Sequence, residues 1–214
     1  RIKAVLSTVQ SLGSDSDLVG GFVRDRILGR RTCVDLDIAV GAADGFETAH
    51  NIARTLGREA AFVPLDRSRG TARIVVQGEE PLIFDFSSFK GANIEEDLAR
   101  RDFTINAVAV SVKSFLASGV SQILDPTGGV ADIKAGIVRG CSAGTFADDS
   151  LRILRAFRFS ACLGFSIASE TLAAIPDNLT ALKDVSSERV RDEFAAILSA
   201  GSSLNALLAM DRWG

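Results

Sequence analysis

The sequence predicts an α+β protein in two parts: a mixed β-sheet with helices over residues 1–139, then an all-α part over 140–214. Three observations carry this. Short strand-like runs interleave with helical patterns as far as Val138. Strand signals vanish from Phe146 onward, and a break near residues 139–143 separates the two regimes. A glycine pair, Gly20-Gly21, stands ahead of Asp35-Leu36-Asp37, and the first part is organised around these two segments.

Taken in order, Ile2, Val5, Leu6 and Val9 recur at the spacing of an amphipathic helix. Residues 17–19 read as a short strand running into the glycines, and 22–28 as a helix. In the strand 35–40, Leu36, Ile38 and Val40 alternate with Asp35, Asp37 and Ala39. Asp44 caps a helix over 45–56 that stops at Gly57. Strand-like runs follow at 61–65, 72–77 and 82–86. Gly91 and Asn93 break the pattern before a helix near Ile94, and 105–110 is an apolar segment. Asp125-Pro126-Thr127-Gly128-Gly129 is a turn, followed by a short helix and a strand at 137–138. A helix through 148–159 places Leu151, Leu154, Phe157 and Phe159 on its buried side. Ser186 or Ser187 caps another helix, with Glu at capping-box spacing, and 204–210 is the last helix.

The formal charge of −3 argues against a generally basic nucleic-acid-binding surface, so RNA would need a local patch or a basic surface in sequence beyond this stretch. No apolar run approaches membrane-spanning length and no signal peptide opens the chain. Beginning at Arg1 and stopping in mid-pattern, the sequence reads as a fragment. Cys33, Cys141 and Cys162 are odd in number and widely spaced beside a single His50, which points to reduced thiols in the cytoplasm. His50, inside a helical pattern, reads as a surface or packing residue.

The chemistry lies in five groups of residues. Asp35 and Asp37 share one strand face, roughly 6.5–7 Å apart along the backbone, where they repel each other. A divalent cation removes that cost, and Mg²⁺ favours one or two carboxylates plus substrate phosphates. The amides of Gly20 and Gly21, with Arg24 one turn into the following helix, suit a polyphosphate. Asp85 lies inside the apolar run 82–86, either as a strand-end residue facing water or as a third carboxylate facing the pair. The block Arg100-Arg101-Asp102-Phe103-Thr104-Ile105-Asn106 fits a capped helix start or a triphosphate and ribose clamp. In it Arg101 holds phosphate, and Asp102 and Asn106 reach ribose. Asp149, Arg152, Arg155 and Arg158 recur every third residue. They form either a solvated charged stripe or an acceptor-plus-donor edge for a base.

These blocks resemble the motifs of class II (bacterial-type) tRNA nucleotidyltransferases and poly(A) polymerases, in family order over roughly residues 18–194. The RRDFTIN block matches the family's RRDFTxNA almost letter for letter. The Asp149 helix resembles EDxxRxxRxxRF with Asp148 in place of Glu, and 186–193 resembles SxERxRxE. The resemblance implies a nucleotidyltransferase (DNA polymerase beta-like) head at 1–139 and a helical neck at 140–214. It makes Asp35 and Asp37 the Mg²⁺ ligands, and Gly21, Arg24 and Arg101 the phosphate and ribose contacts. Asp149, Arg152, Arg155 and Arg158 become the nucleotide-binding positions of a helix that selects CTP or ATP. Asp85 stands where many relatives have Glu in a strand reading VEVTTFR.

The implied activity is Mg²⁺-dependent, template-independent addition of CMP or AMP to a tRNA 3′ end, with poly(A) synthesis as the alternative. A small-molecule nucleotidyltransferase is a more distant rival, having no reason to carry RRDFTIN. Full CCA-adding relatives carry a longer flexible loop where this chain has only Lys90-Gly91-Ala92-Asn93-Ile94, which favours addition of CC alone. Partners are then CTP or ATP and an RNA 3′ end, with no membrane.

Overall fold

The computed structural model describes residues 1–13, 15–30, 35–41 and 44–213. By packing, the chain divides into two compact units, residues 1–99 with 106–127 and residues 100–105 with 128–214. Segments 100–105 and 128–139, expected in the first domain, therefore pack with the helical unit.

The first unit contains α1 (Ile2–Ser11), β1 (Ser16–Val19), α2 (Gly21–Ile27), β2 (Asp35–Val40), α3 (Gly45–Leu56), β3 (Ala60–Asp66), β4 (Thr71–Val76), β5 (Leu82–Ser88), α4 (Ile94–Ala99), β6 (Ala109–Ser111) and α5 (Val112–Ser118). Among the described residues six strands make one mixed sheet, ordered β3-β4-β5-β2-β1-β6. Only β2 and β5 pair in parallel; the other neighbours are antiparallel. One face buries Leu36, Ile38, Ile74, Phe84 and Phe86, all at most 1% exposed. Helix α3 packs on β3, β4 and β5 and contacts α1, whose Val5, Leu6 and Val9 are buried. Asp44 caps α3 as expected, its Oδ1 accepting from the Phe46 amide at 2.8 Å. His50 packs edge-on against Phe62.

The second unit contains α6 (Gly129–Ala135), β7 (Ile137–Val138), α7 (Thr145–Asp148), α8 (Arg152–Leu163), β8 (Ser166–Ile167), α9 (Ser169–Ala173), α10 (Ser187–Leu198) and α11 (Ser203–Trp213). The second part is not wholly helical, since β8 pairs in parallel with β7. Helix α8 is its hub. It buries Ile153, Leu154, Ala156, Phe157, Phe159 and Ala161, and α10 and α11 pack along it. The helix expected over 148–159 is broken. Asp149 is extended (φ −161°, ψ 106°); its Oδ1 accepts from the Leu151 amide and its carbonyl from the Arg152 amide. A short acidic side chain that satisfies amides at a helix start competes well with continuing the helix. Cys141 and Cys162 are free thiols, while Cys33 lies outside the described residues. Among the described residues, no helix is long and apolar enough to cross a membrane.

Candidate active site

Strand register assembles the first set of residues. Asp37 on β2 stands opposite Asp85 on β5, and Asp85 opposite Arg73 on β4. Directly paired residues point to one face of a sheet, so Arg73, Asp85 and Asp37 form a row, with Asp35 two residues along. Asp35 and Asp37 are exposed, whereas Leu36 and Ile38 between and beyond them are buried. The same face is closed at Val19 of β1 and at Ala39 further along β2, both buried.

Both Asp85 oxygens are engaged by the guanidinium of Arg73, Nε donating at 2.7 Å and Nη2 at 2.8 Å. This hydrogen bonding holds the Arg73 pKa up, with smaller contributions from Asp35 and Asp37. Asp85 therefore shares the sheet face of the carboxylate pair, with both its oxygens held by a cation. Among the described residues no three His, Cys, Asp or Glu side chains gather to hold a metal. The Asp35/Asp37 pair nonetheless fits a hard divalent cation, offering two exposed carboxylates that leave coordination positions for substrate oxygens.

The glycine pair follows β1, whose Val19 is opposite Asp37. Gly20 has φ +68°, a conformation that side chains other than glycine rarely adopt, and its amide donates to the Val108 carbonyl. Gly21 opens α2. Arg24 is only 8% exposed; its Nη1 donates to Asn106 Oδ1 at 2.8 Å and its Nε to Asp25 at 2.9 Å. Two sequence-predicted site residues, Arg24 and Asn106, thus touch each other, and Asp25 orients the arginine.

In the second unit the Arg101-Asp102 segment is bound to α8. Asp102 Oδ2 accepts from Arg155 Nε at 2.9 Å and Nη2 at 2.6 Å, and Asp102 is 7% exposed. Glu193 on α10 joins Arg155 (3.4 Å) and Arg158 (2.5 Å), so one acid holds two arginines of the stripe. The segment is further fixed by the Thr104 hydroxyl on Asp132 at 2.7 Å and by Phe103 edge-on to Phe159. Arg152 donates to the carbonyls of Thr145 (3.2 Å) and Arg100 (3.1 Å), while its Asp148 partner is 3.6 Å away. Backbone carbonyls, more than the shortened Asp148, set its direction. Asp149 stands just ahead of the helix with Oδ2 on Arg189 at 2.7 Å.

A family model described as the poly A polymerase head domain matches residues 17–139. The chain belongs to that family. A second model, described as the probable RNA and SrmB-binding site of polymerase A, matches 164–214. The chain is 43% identical to a CC-adding tRNA nucleotidyltransferase of Geobacter sulfurreducens over 96% of its own length and 45% of that protein. It is 38% identical to a CC-adding tRNA nucleotidyltransferase of Synechocystis over 90% of its length and 44% of that protein. The structure is similar to that of the Thermotoga maritima CCA-adding enzyme complexed with tRNA-CCA, with TM-score 0.83 and 31% identity. That match covers 99% of this chain and 49% of the other. The chain spans about half the length of the relatives it matches.

The head-domain match contains Arg73, Asp25 and Asp17, which sequence reasoning passed over. Arg73 was legible in principle, because a hairpin turning over residues 77–81 pairs it with Asp85. Asp17 carried no such signal. It sits on β1 opposite Ala39, on the carboxylate face, and its pKa is raised to about 6. Burial is the main cause, followed by the charges of Asp15, Glu95 and Asp97. Unfolded, Asp17 ionises near 3.8, so between about 4 and 6 the folded chain binds a proton that the unfolded chain does not. Its contribution to stability is therefore fully present below about 4 and lost as pH rises through 6. Asp17→Asn is expected to raise the melting temperature at pH 7.5, with the gain over wild type shrinking towards pH 4.5. A difference independent of pH would show that Asp17 is not strained by its charge.

Proposed function

We propose that this chain carries the catalytic and nucleotide-selecting parts of a Mg²⁺-dependent, template-independent RNA nucleotidyltransferase that adds CMP to the tRNA 3′ end and stops after CC. The observation that carries the transferase reading is the exposed Asp35/Asp37 pair on one strand face. These two carboxylates hold the metal. When bound, Mg²⁺ supplies a lowered pKa for the RNA 3′-hydroxyl and offsets charge on the reacting phosphates. Asp85 is the third carboxylate, kept beside the pair by Arg73. The Gly20-Gly21 turn, Arg24 and Arg101 hold phosphates. Asn106 orients Arg24, and Asp102 orients Arg155 in addition to any contact with ribose. Asp149 and Arg152 read the base edge, with Arg155 and Arg158 completing the nucleotide contacts. No His or Cys nucleophile is required, and the thiols suit a cytoplasmic protein.

The limit to CC is supported by residues 89–93, which join β5 to α4. This short connection is tied to its own helix. The Lys90 amide donates to Asp97, the Ala92 amide to Glu96, and Asn93 Oδ1 accepts from the Glu96 amide. A Cβ at Gly91 would lie 2.6 Å from Glu96 Cβ. Such a segment has little slack with which to drive the change from a pyrimidine pocket to a purine pocket. The CC-adding names of the relatives from Geobacter sulfurreducens and Synechocystis agree. The test is product length: the full-length protein, tRNA lacking CCA, and CTP with ATP together. Products ending uniformly in CC are expected; a terminal A means CCA addition, and a ladder of A residues means a poly(A) polymerase.

A further inference from the structure

One cavity of the first unit is absorbed by none of the roles above. It has a volume of about 520 Å³ and is lined by Asp66, Arg69, Thr71, Ser87, Ser88, Phe89 and Lys90. Its place in the sheet follows from register. Thr71 on β4 stands opposite Ser87 on β5, and Ser87 opposite Ala39 on β2. That row lies two residues beyond Arg73, Asp85 and Asp37 on the same face. Strand spacings put it roughly 8–12 Å from Asp37, the span of a nucleotide or two.

The glycine pair lies on the other side of the carboxylates in both senses. It follows Val19 of β1, across β2 from β5, and continues towards Asp35, whereas the cavity lies towards Ala39 and on the β5–β4 flank. Phosphoryl transfer places the attacking and leaving oxygens roughly in line across the phosphorus. If pyrophosphate leaves towards Gly20-Gly21, the attacking strand arrives from the flank that holds the cavity.

The lining suits such a strand. Arg69 is largely exposed and only loosely paired with Asp66 at 3.5 Å, and Lys90 is exposed. Two hydroxyls, Thr71 and Ser87, stand on the carboxylate face in the row beyond Arg73 and Asp85, whereas Ser88 points to the α3 face. The walls are preformed. Ser88 Oγ accepts from the Gly45 amide at 3.0 Å, and Thr71 Oγ1 donates to the Asp66 carbonyl. The Phe89 ring sits so close to Gly41 that a Cβ there would lie 2.9 Å from it. Cations for backbone phosphates, hydroxyls for sugar and an anchored aromatic ring for a base are the means by which proteins hold single-stranded RNA. In a chain of net charge −3, such a site must be local.

We propose that this cavity is the subsite for the 3′-terminal nucleotides of the acceptor RNA, with Arg69 and Lys90 on its phosphates and Phe89 against a base. The proposal rests on the transferase reading above. The test pairs Arg69→Ala/Lys90→Ala with the charge-keeping Arg69→Lys/Lys90→Arg in the full-length protein, using tRNA that lacks CCA. The alanine pair is expected to raise KM for tRNA about tenfold and leave KM for CTP within about twofold. It should also flatten the salt dependence of metal-free tRNA binding by about 1.4 log units per log unit of salt, from two phosphates at about 0.7 each. The charge-keeping pair should behave as wild type. A tRNA carrying a photoactivatable thionucleotide at its 3′ end should crosslink within residues 66–71 or 87–90. Unchanged tRNA KM and salt slope, or crosslinks confined elsewhere, overturn the subsite. If Asp37→Ala is inactive at the same time, the transferase reading stands without it; if Asp37→Ala is active, that reading itself fails.

Discussion

Asp37→Ala is expected to abolish nucleotide transfer, a loss of about a thousandfold or more, with the fold intact. Asp37 and Asp35 are exposed carboxylates on one face of β2, and the buried face holds the sheet to its helices. Removing either should not open the core, and it relieves repulsion between like charges. On the proposed mechanism, what is lost is half of the metal's protein ligation. Metal stabilisation of transition-state charge is worth several kcal/mol, and each 1.36 kcal/mol is a factor of ten in rate. Mn²⁺ binding, followed directly by electron paramagnetic resonance, should weaken in parallel in both Asp35→Ala and Asp37→Ala. Circular dichroism and melting temperature should stay close to wild type. Substantial transfer by either variant with Mg²⁺ present would remove the two-carboxylate mechanism.

Asp149→Ala and Arg152→Ala are expected to blur the choice among CTP, ATP, UTP and GTP by roughly ten- to hundredfold. Turnover of the preferred nucleotide should slow less. Side-chain readout of a base edge contributes about 1–3 kcal/mol of discrimination, which sets that range. Arg152 is aimed by the carbonyls of Thr145 and Arg100, and Asp149 is held by Arg189 and by the start of α8. Both are thus presented in fixed directions, as selection requires. Arg152→Lys keeps the charge but loses the planar fork, so it should resemble the alanine variant in selectivity. Unchanged nucleotide preference in all three variants would reduce the stripe to a charged helix face.

Helix α3, from its Asp44 cap to its end at Gly57, could be read from the chain because cap and stop are local. The alternation in β2 is equally local, and the sequence alone placed Asp35 and Asp37 together on one face. Family motifs located the remaining candidates along the chain. What those candidates touch depends on partners far away in sequence, and only the tertiary structure decided it. Asp85 meets Arg73 through hairpin register, which commits its carboxylate to a cation instead of leaving it open to water. Arg24 meets Asn106 across 82 residues. Asp102 is claimed by Arg155, which draws residues 100–105 into the helical unit although their neighbours on both sides pack with the sheet. Asp149 leaves the helix that its spacing suggested, because in the turn ahead of α8 its side chain accepts from the Leu151 amide and its carbonyl from the Arg152 amide. Periodicity reports which face a residue occupies; the choice of ion-pair partner is made by packing, where burial makes an unpaired charge costly.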